Sequence, residues 1–207
     1  SNGNARQALE ILQSSHGFDA YVTDKLYFVP RGGAPALTVD VDDLAAGDGD
    51  ALDEPFALTV NSDLEMPSRI AVVYKNMSAD QINGTEHSER GPTGQDSIQA
   101  IQLAIGMTPS EAKGVADAMV RDAYAARMTS QLSLPLKYTR LTPTDVIQVP
   151  DSDGTLYRMR ITRRSDAGGI IALDIVGDDA DVRPQAMATS AGYLSQTTVR
   201  GVVDSVL

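Results

Sequence analysis

Thr108-Pro109-Ser110-Glu111 constrains this chain more than any other stretch of its length. It places a hydroxyl at an N-cap, a proline at the first helical position and a carboxylate at the third, which is the pattern of a capping box. Beyond it Ala112, Val115, Ala116, Met119, Val120, Ala123 and Tyr124 recur at three- and four-residue spacing. That spacing predicts a helix over 109–128 with one slim apolar face, able to lie close against a sheet. Strand-like segments follow at 131–138, 145–149, 156–164 and 170–176, with Asp151-Ser152-Asp153-Gly154 as a turn between two of them. The expectation is an α+β fold: an antiparallel β-barrel or curled sheet, plugged or flanked by one long helix.

Upstream, Asn4 is placed to cap a short helix in which Ala5, Ala8, Leu9 and Leu12 share a face, and Gly17 supplies its left-handed stop. Segments 18–23 and 26–30 read as a hairpin around Asp24-Lys25. Between 40 and 54 come seven acids and no base: Asp40, Asp42, Asp43, Asp48, Asp50, Asp53 and Glu54. Asp48-Gly49-Asp50 offers hard oxygen ligands to calcium, but the spacing lacks the alternation of an EF-hand, and a solvated acidic connection is the stronger reading. Residues 1–60 are therefore expected to form a small N-terminal lobe of helix, hairpin and acidic connection.

Segment 69–75 alternates as a strand, and 98–105 does so with Ile101, Leu103 and Ile105 on one face; Leu132, Leu134 and Leu136 alternate likewise. Between them 76–97 is polar and punctuated by Gly84, Gly91, Pro92 and Gly94, which predicts a long exposed excursion. Residues 61–183 are expected to form a barrel-like domain. Residues 184–207 are expected to be a linker towards a further domain.

Composition narrows the function. Seventeen Lys and Arg against 28 Asp and Glu give a net charge of −11, which argues against a general nucleic-acid binder. The absence of cysteine excludes disulfides, thiol catalysis and cysteine-based zinc sites. No apolar run reaches the ~18 residues of a membrane span. His16 and His87 stand far apart without HExxH spacing, no serine sits in a Gly-x-Ser-x-Gly elbow, and Gly32-Gly33 and Gly168-Gly169 lack the Lys-Ser/Thr of a phosphate loop. A glycosidase pair stays open among so many acids, though nothing singles one out. No catalytic, cofactor or metal residue is assigned, and a non-enzymatic module is expected. The candidate interaction surface is Arg158, Arg160 and Arg164, read as lying opposite Tyr157, Met159 and Ile161 on one strand. Such a row grips phosphate or a carboxylate-rich partner, or else is the wet face of a strand or a charged edge.

Four segments, in this order, resemble the "Putative phage tail protein" family: GFDAYVTDKLYFVPRGG (17–33), MPSRIAVVYKN (66–76), MTPSEAKGVADAMVRDAYAARMTSQLSLPLKY (107–138) and LTPTDVIQVPDSDGTLYRMRITRRSDAGGIIALDIVGDD (141–179). That family includes tail-tip and baseplate-hub components of siphophages, prophages and gene transfer agents. The resemblance implies a virion structural protein whose barrels assemble as a trimeric, pseudo-sixfold ring capping the tail tube and supporting host-contact domains. It implies other tail proteins as partners, such as the tube or the distal tail protein, and no cofactor. It also implies assembly in the bacterial host cytoplasm and a final position at the tail tip. An acidic lumen would let DNA pass without sticking. The competing reading is a cell-wall hydrolase region, glycosidase or peptidase, of a tail-associated protein, which two close carboxylates in a concave pocket would favour.

Overall fold

The computed structural model describes residues 3–44, 56–62, 66–89 and 97–182. Its elements are helix α1 (Gly3–His16), hairpin strands β1 (Phe18–Val22) and β2 (Leu26–Pro30), and short strands β3 (Leu37–Thr38) and β4 (Thr59–Val60). Strands β5 (Arg69–Asn76), β6 (Asn83–Glu89) and β7 (Ile98–Met107) precede helix α2 (Pro109–Ala125). Strands β8 (Met128–Pro135), β9 (Val146–Pro150), β10 (Leu156–Ala167) and β11 (Ile170–Gly177) follow it. The protein is thus mostly sheet with two helices, α+β.

The capping box forms as its spacing requires. Thr108 Oγ1 accepts from the Glu111 amide at 3.3 Å, and the Glu111 carboxylate accepts from the Thr108 amide at 2.8 Å. The helix ends at Ala125, three residues before the expected stop, because β8 begins at Met128. In the N-terminal lobe the Gly17 amide donates to Gln13 O at 2.9 Å with Gly17 at φ +62°, the expected left-handed stop. Asn4 lies inside α1 rather than before it.

Three sheets form: the β1–β2 hairpin, a three-stranded sheet ordered β6-β5-β7, and a six-stranded sheet ordered β3-β9-β10-β11-β8-β4. The expected barrel is not observed, since the six-stranded sheet is open, with different strands at its two ends. Nor do β5, β6 and β7 merge with the strands that follow α2, although β3 and β4 do. Strands β5 and β7 pair in parallel, separate from β8–β11.

Two cores result. In the first, Ile70, Val72, Tyr74, Leu103 and Met107 from the three-stranded sheet meet Ala112, Val115, Ala116 and Val120 of α2. The helix therefore covers the strands that precede it. Its small side chains leave room for Tyr74, and each fully buried Val or Ile contributes about 1.5–3 kcal/mol. The second core gathers Leu132, Leu134, Ile147, Val149, Met159, Ile161, Ile171, Leu173 and Ile175 from β8–β11. Its lid is the chain around Val39, Leu44 and Phe56, and β3 and β4 join the same sheet, so residues before 60 are woven into it. Leu136 leaves the alternation of Leu132 and Leu134, starting a 3-10 turn and standing exposed.

The expected excursion 76–97 is in part a strand. β6 pairs antiparallel with β5 from Lys75↔Asn83 to Arg69↔Glu89. The polar run NGTEHSE hides it from an apolar-alternation reading, because Gly84 is the residue that fits above Tyr74, where a Cβ would come within 2.7 Å of the ring. Gly168 and Gly169, at φ +61° and +86°, make the tight turn between β10 and β11. The Asp48-Gly49-Asp50 loop and segment 184–207 lie outside the described residues.

Candidate functional site

The alternation that predicts an arginine row on β10 is broken midway. Met159 pairs with Gly177 and Ile161 with Ile175, but Arg163 pairs with Asp174 and Arg164 with Leu173, a bulge that inserts one residue. Directly opposed residues share a face, so Arg164 turns to the side of the core residue Leu173, away from Arg158 and Arg160. There it donates to Thr139 O at 2.8 Å and to Leu141 O, and pairs with Asp166 at 2.6 Å, tying the turn after β8 to β10.

Arg158 and Arg160 keep the other face, but it is not a wet face or an edge. β10 lies between β9 and β11, and Arg160 is only 7% exposed. Both enter an ionic cluster with Arg31, Asp19, Asp122 and Asp178. Arg31 pairs with Asp19 at 2.7 Å and Asp122 at 2.6 Å. Arg160 pairs with Asp19, reaches Asp122 at 3.4 Å and holds its Nε 3.6 Å from Asp178. Arg158 pairs with Asp178 at 2.7 Å and donates to Gly33 O. Three guanidiniums face three carboxylates, so the cluster is electroneutral.

The six charges come from three structural units. Asp19 and Arg31 belong to the hairpin and its exit, Asp122 to the last turns of α2, and Arg158, Arg160 and Asp178 to the six-stranded sheet and the residue after it. The cluster is a joint where hairpin, helix and sheet are fastened. Close backbone contact supports it: a Cβ on Gly177 would lie 2.2 Å from Ala125 O. A cleft of about 220 Å³ beside α1 and α2 opens onto Arg31 and Asp122.

The acids respond in opposite directions. Burial would raise Asp19, but hydrogen bonds and charge from Arg31 and Arg160 prevail and hold its carboxyl below the usual aspartate range. Asp178, fully enclosed, is pushed up by burial that Arg158 and Arg160 only partly offset. A buried cluster of this kind fixes the relative placement of the elements that carry its charges.

A second anchor pins the start of the acidic stretch. Lys137 pairs with Asp40 at 3.2 Å and with Asp43, while Tyr138 donates to Asp43 at 2.7 Å and accepts from the Asp40 amide. The hydrogen bond to Asp43 raises the Lys137 pKa. Among the described residues no group of three His, Asp or Glu is placed to hold a metal ion, and no helix is long and apolar enough to cross a membrane. His16 closes α1; His87 lies exposed on β6, 3.7 Å from Glu89.

Asp19, Arg31, Asp122 and Asp178 were not singled out by sequence reasoning. Signals existed: Asp19 interrupts an apolar strand, and Asp122 falls three residues after Met119, on the slim face of α2.

The described residues form a two-core α+β module whose buried charges fasten its own parts. The model of the family described as "Putative phage tail protein" matches residues 4–164, and the chain belongs to that family. Its fold is shared with a chain of the virion of the native gene transfer agent particle, at 22% identity and a TM-score of 0.77, covering 92% of this chain and 42% of that one. It is similar to the tail protein from Neisseria meningitidis MC58 at 13% identity and TM-score 0.56, covering 87% and 56%. It is also similar to the 43 kDa tail protein of prophage MuSo2 from Shewanella oneidensis, at 11% and 0.52, covering 86% and 52%. The chain thus spans about half the length, or less, of these structures. No curated protein matches it.

Proposed function

We propose that this chain is part of the hub at the tip of a phage, prophage or gene-transfer-agent tail, where it caps the tail tube and carries host-contact domains. The observation that carries this reading is the family match over residues 4–164. Structure adds physical support. The three-stranded sheet ends in β6 and β7, whose outer edges meet no further strand among the described residues, and such edges suit chain-to-chain stitching. In the proposed assembly three copies form a pseudo-sixfold ring, curling the open sheets into the barrel-like wall that a single copy lacks. The partners are the tube or distal tail protein, and the role is non-enzymatic. The chain's net charge of −11 would line a lumen through which DNA slides without adhering. Of the arginine row, Arg158 and Arg164 keep 22% and 19% of their side-chain surface against 9% for Arg160, and would be the members that meet a neighbour.

The test is direct. Gold-labelled antibody against this protein should decorate the distal end of purified tails, and deletion of its gene should leave tubes without a tip. Label along the tube or at the head would overturn the hub reading. Light scattering coupled to size exclusion on this chain and a longer form should give a trimer in the longer form; a monomer in both would count against the ring.

A further inference from the structure

We propose that Asn83 is a self-modification site: the pair Asn83-Gly84 deamidates spontaneously, at a rate set by how often β6 opens from β5.

Asparagine followed by glycine is the pair most prone to this reaction, because a residue without Cβ lets its amide nitrogen approach the preceding side chain. The Gly84 nitrogen attacks the Asn83 side-chain carbonyl carbon and a new C–N bond forms. The bond to the side-chain amide nitrogen breaks, and that nitrogen leaves as ammonia, taking up the proton that the Gly84 amide loses. Water then opens the cyclic imide at either carbonyl, giving aspartate or isoaspartate. Water is the only co-reactant.

The fold dictates the glycine. Gly84 stands directly opposite Tyr74, whose buried ring packs with α2, and a Cβ on Gly84 would come within 2.7 Å of that ring. Asn83 stands opposite Lys75, and both are exposed. Packing on one face of β6 thus holds in place the residue that makes its neighbour on the other face labile.

Pairing restrains the reaction. The Asn76 amide donates to Ile82 O at 2.9 Å, which makes 76 and 82 a hydrogen-bonded pair of the antiparallel ladder. Alternation by two then makes Tyr74 and Gly84 the next such pair, with the Gly84 amide donating to Tyr74 O. The extended backbone of an antiparallel strand, with ψ of about +135°, also keeps the Gly84 nitrogen away from the Asn83 side-chain carbon. Attack therefore requires β6 to part from β5. β6 is placed to do so: it is the end strand of its sheet among the described residues, and its sequence NGTEHSE has no apolar side chain. On its outer side it is tethered by Lys113 of α2, whose Nζ donates to His87 O at 2.8 Å.

The two products differ in consequence. Aspartate at position 83 faces Lys75 across the pair and leaves the register intact. Isoaspartate lengthens the backbone by a carbon, breaks the register there and spoils β6 as an edge for any further strand.

The full chain, incubated at neutral pH in heavy-oxygen water and mapped by peptide mass spectrometry, tests this. Native protein should accumulate labelled aspartate and isoaspartate at Asn83. In urea beyond the unfolding midpoint that rate should rise about tenfold or more, and should exceed the rates at Asn4, Asn61 and Asn76, none of which precedes glycine. Lys113→Met should raise the native rate about twofold or more and leave the urea rate unchanged, which separates opening of the strand from the chemistry. No conversion at Asn83 in the native chain would overturn the site. A native rate indifferent to both urea and Lys113→Met would overturn its control by β6.

Discussion

Replacing Arg160 by methionine tests whether the joint holds the fold. Arg160 is 7% exposed and faces three carboxylates: Asp19, Asp122 at 3.4 Å and Asp178 at 3.6 Å. Without it, Arg31 and Arg158 confront Asp19, Asp122 and Asp178, leaving one negative charge uncompensated where the acids are 0–20% exposed. Removing one member of a buried ion cluster costs about 3–5 kcal/mol, against about 0–1 kcal/mol for a surface pair. A loss of about 4 kcal/mol is a large share of a domain's ~5–15 kcal/mol. With a urea slope of about 2 kcal/mol/M it lowers the unfolding midpoint by about 2 M. Circular dichroism during urea titration reads this. Asp178→Asn removes the opposite charge from the same cluster and is expected to cost a comparable amount, since Arg158 and Arg160 lose a shared partner. The double variant restores electroneutrality and should be at least about 1 kcal/mol more stable than the sum of the two losses predicts. An Arg160→Met loss under about 1 kcal/mol, or strict additivity, would refute the buried joint.

Gly177→Ala should cost about 1–3 kcal/mol, read as about 2–4 °C of melting temperature per kcal/mol, because its Cβ would press on Ala125 O and the Met128 methyl at 2.2 and 3.0 Å. An unchanged melting temperature would show that α2 and β11 can part freely. Thr144 is β-branched at φ +81°, with its Oγ1 buried and lacking a hydrogen bond among the described residues. Thr144→Gly should therefore be stabilising by up to about 1 kcal/mol in urea titration, and a net loss would refute strain there. The two buried aspartates predict opposed pH responses. Asp19, depressed when folded, contributes stability above the ordinary value of 3.8 that is lost as pH falls through its lower folded pKa. Asp178, raised when folded, does the reverse: stability falls as pH rises from 3.8 to its folded pKa. Urea midpoints stepped from neutral to strongly acidic pH should show wild type gaining relative to Asp178→Asn as pH falls towards 3.8. Below that value wild type should lose relative to Asp19→Asn, and parallel curves would refute both assignments.

The helix, the hairpin and strands β8–β11 were legible because their signals are local: a capping box, a turn dipeptide, alternation of two. What α2 packs against was not legible, because a slim apolar face states only that some sheet is near. Its match was settled by Ile70, Val72 and Tyr74, which lie earlier in the chain and whose partner strand β6 is polar. The arginine row failed for a different reason. One inserted residue near Arg163 reverses every later side chain on β10, and nothing in TRRS announces it.

The joint's invisibility and its importance have one cause. Its six charges come from residues 19, 31, 122, 158, 160 and 178, so no window of twenty residues contains more than two of them. Each looks like ordinary surface charge until the chain folds. A local feature stabilises its own element; a cluster assembled from hairpin, helix and sheet exists only when all three are in place, and so makes them one cooperative body. The exposed hairpin is fixed to the rest of the molecule where Asp19 and Arg31 hold its root. Weakening the joint by Asp19→Asn should therefore speed amide hydrogen exchange in the hairpin, α2 and β10 together, and faster exchange in the hairpin alone would refute the cooperative joint.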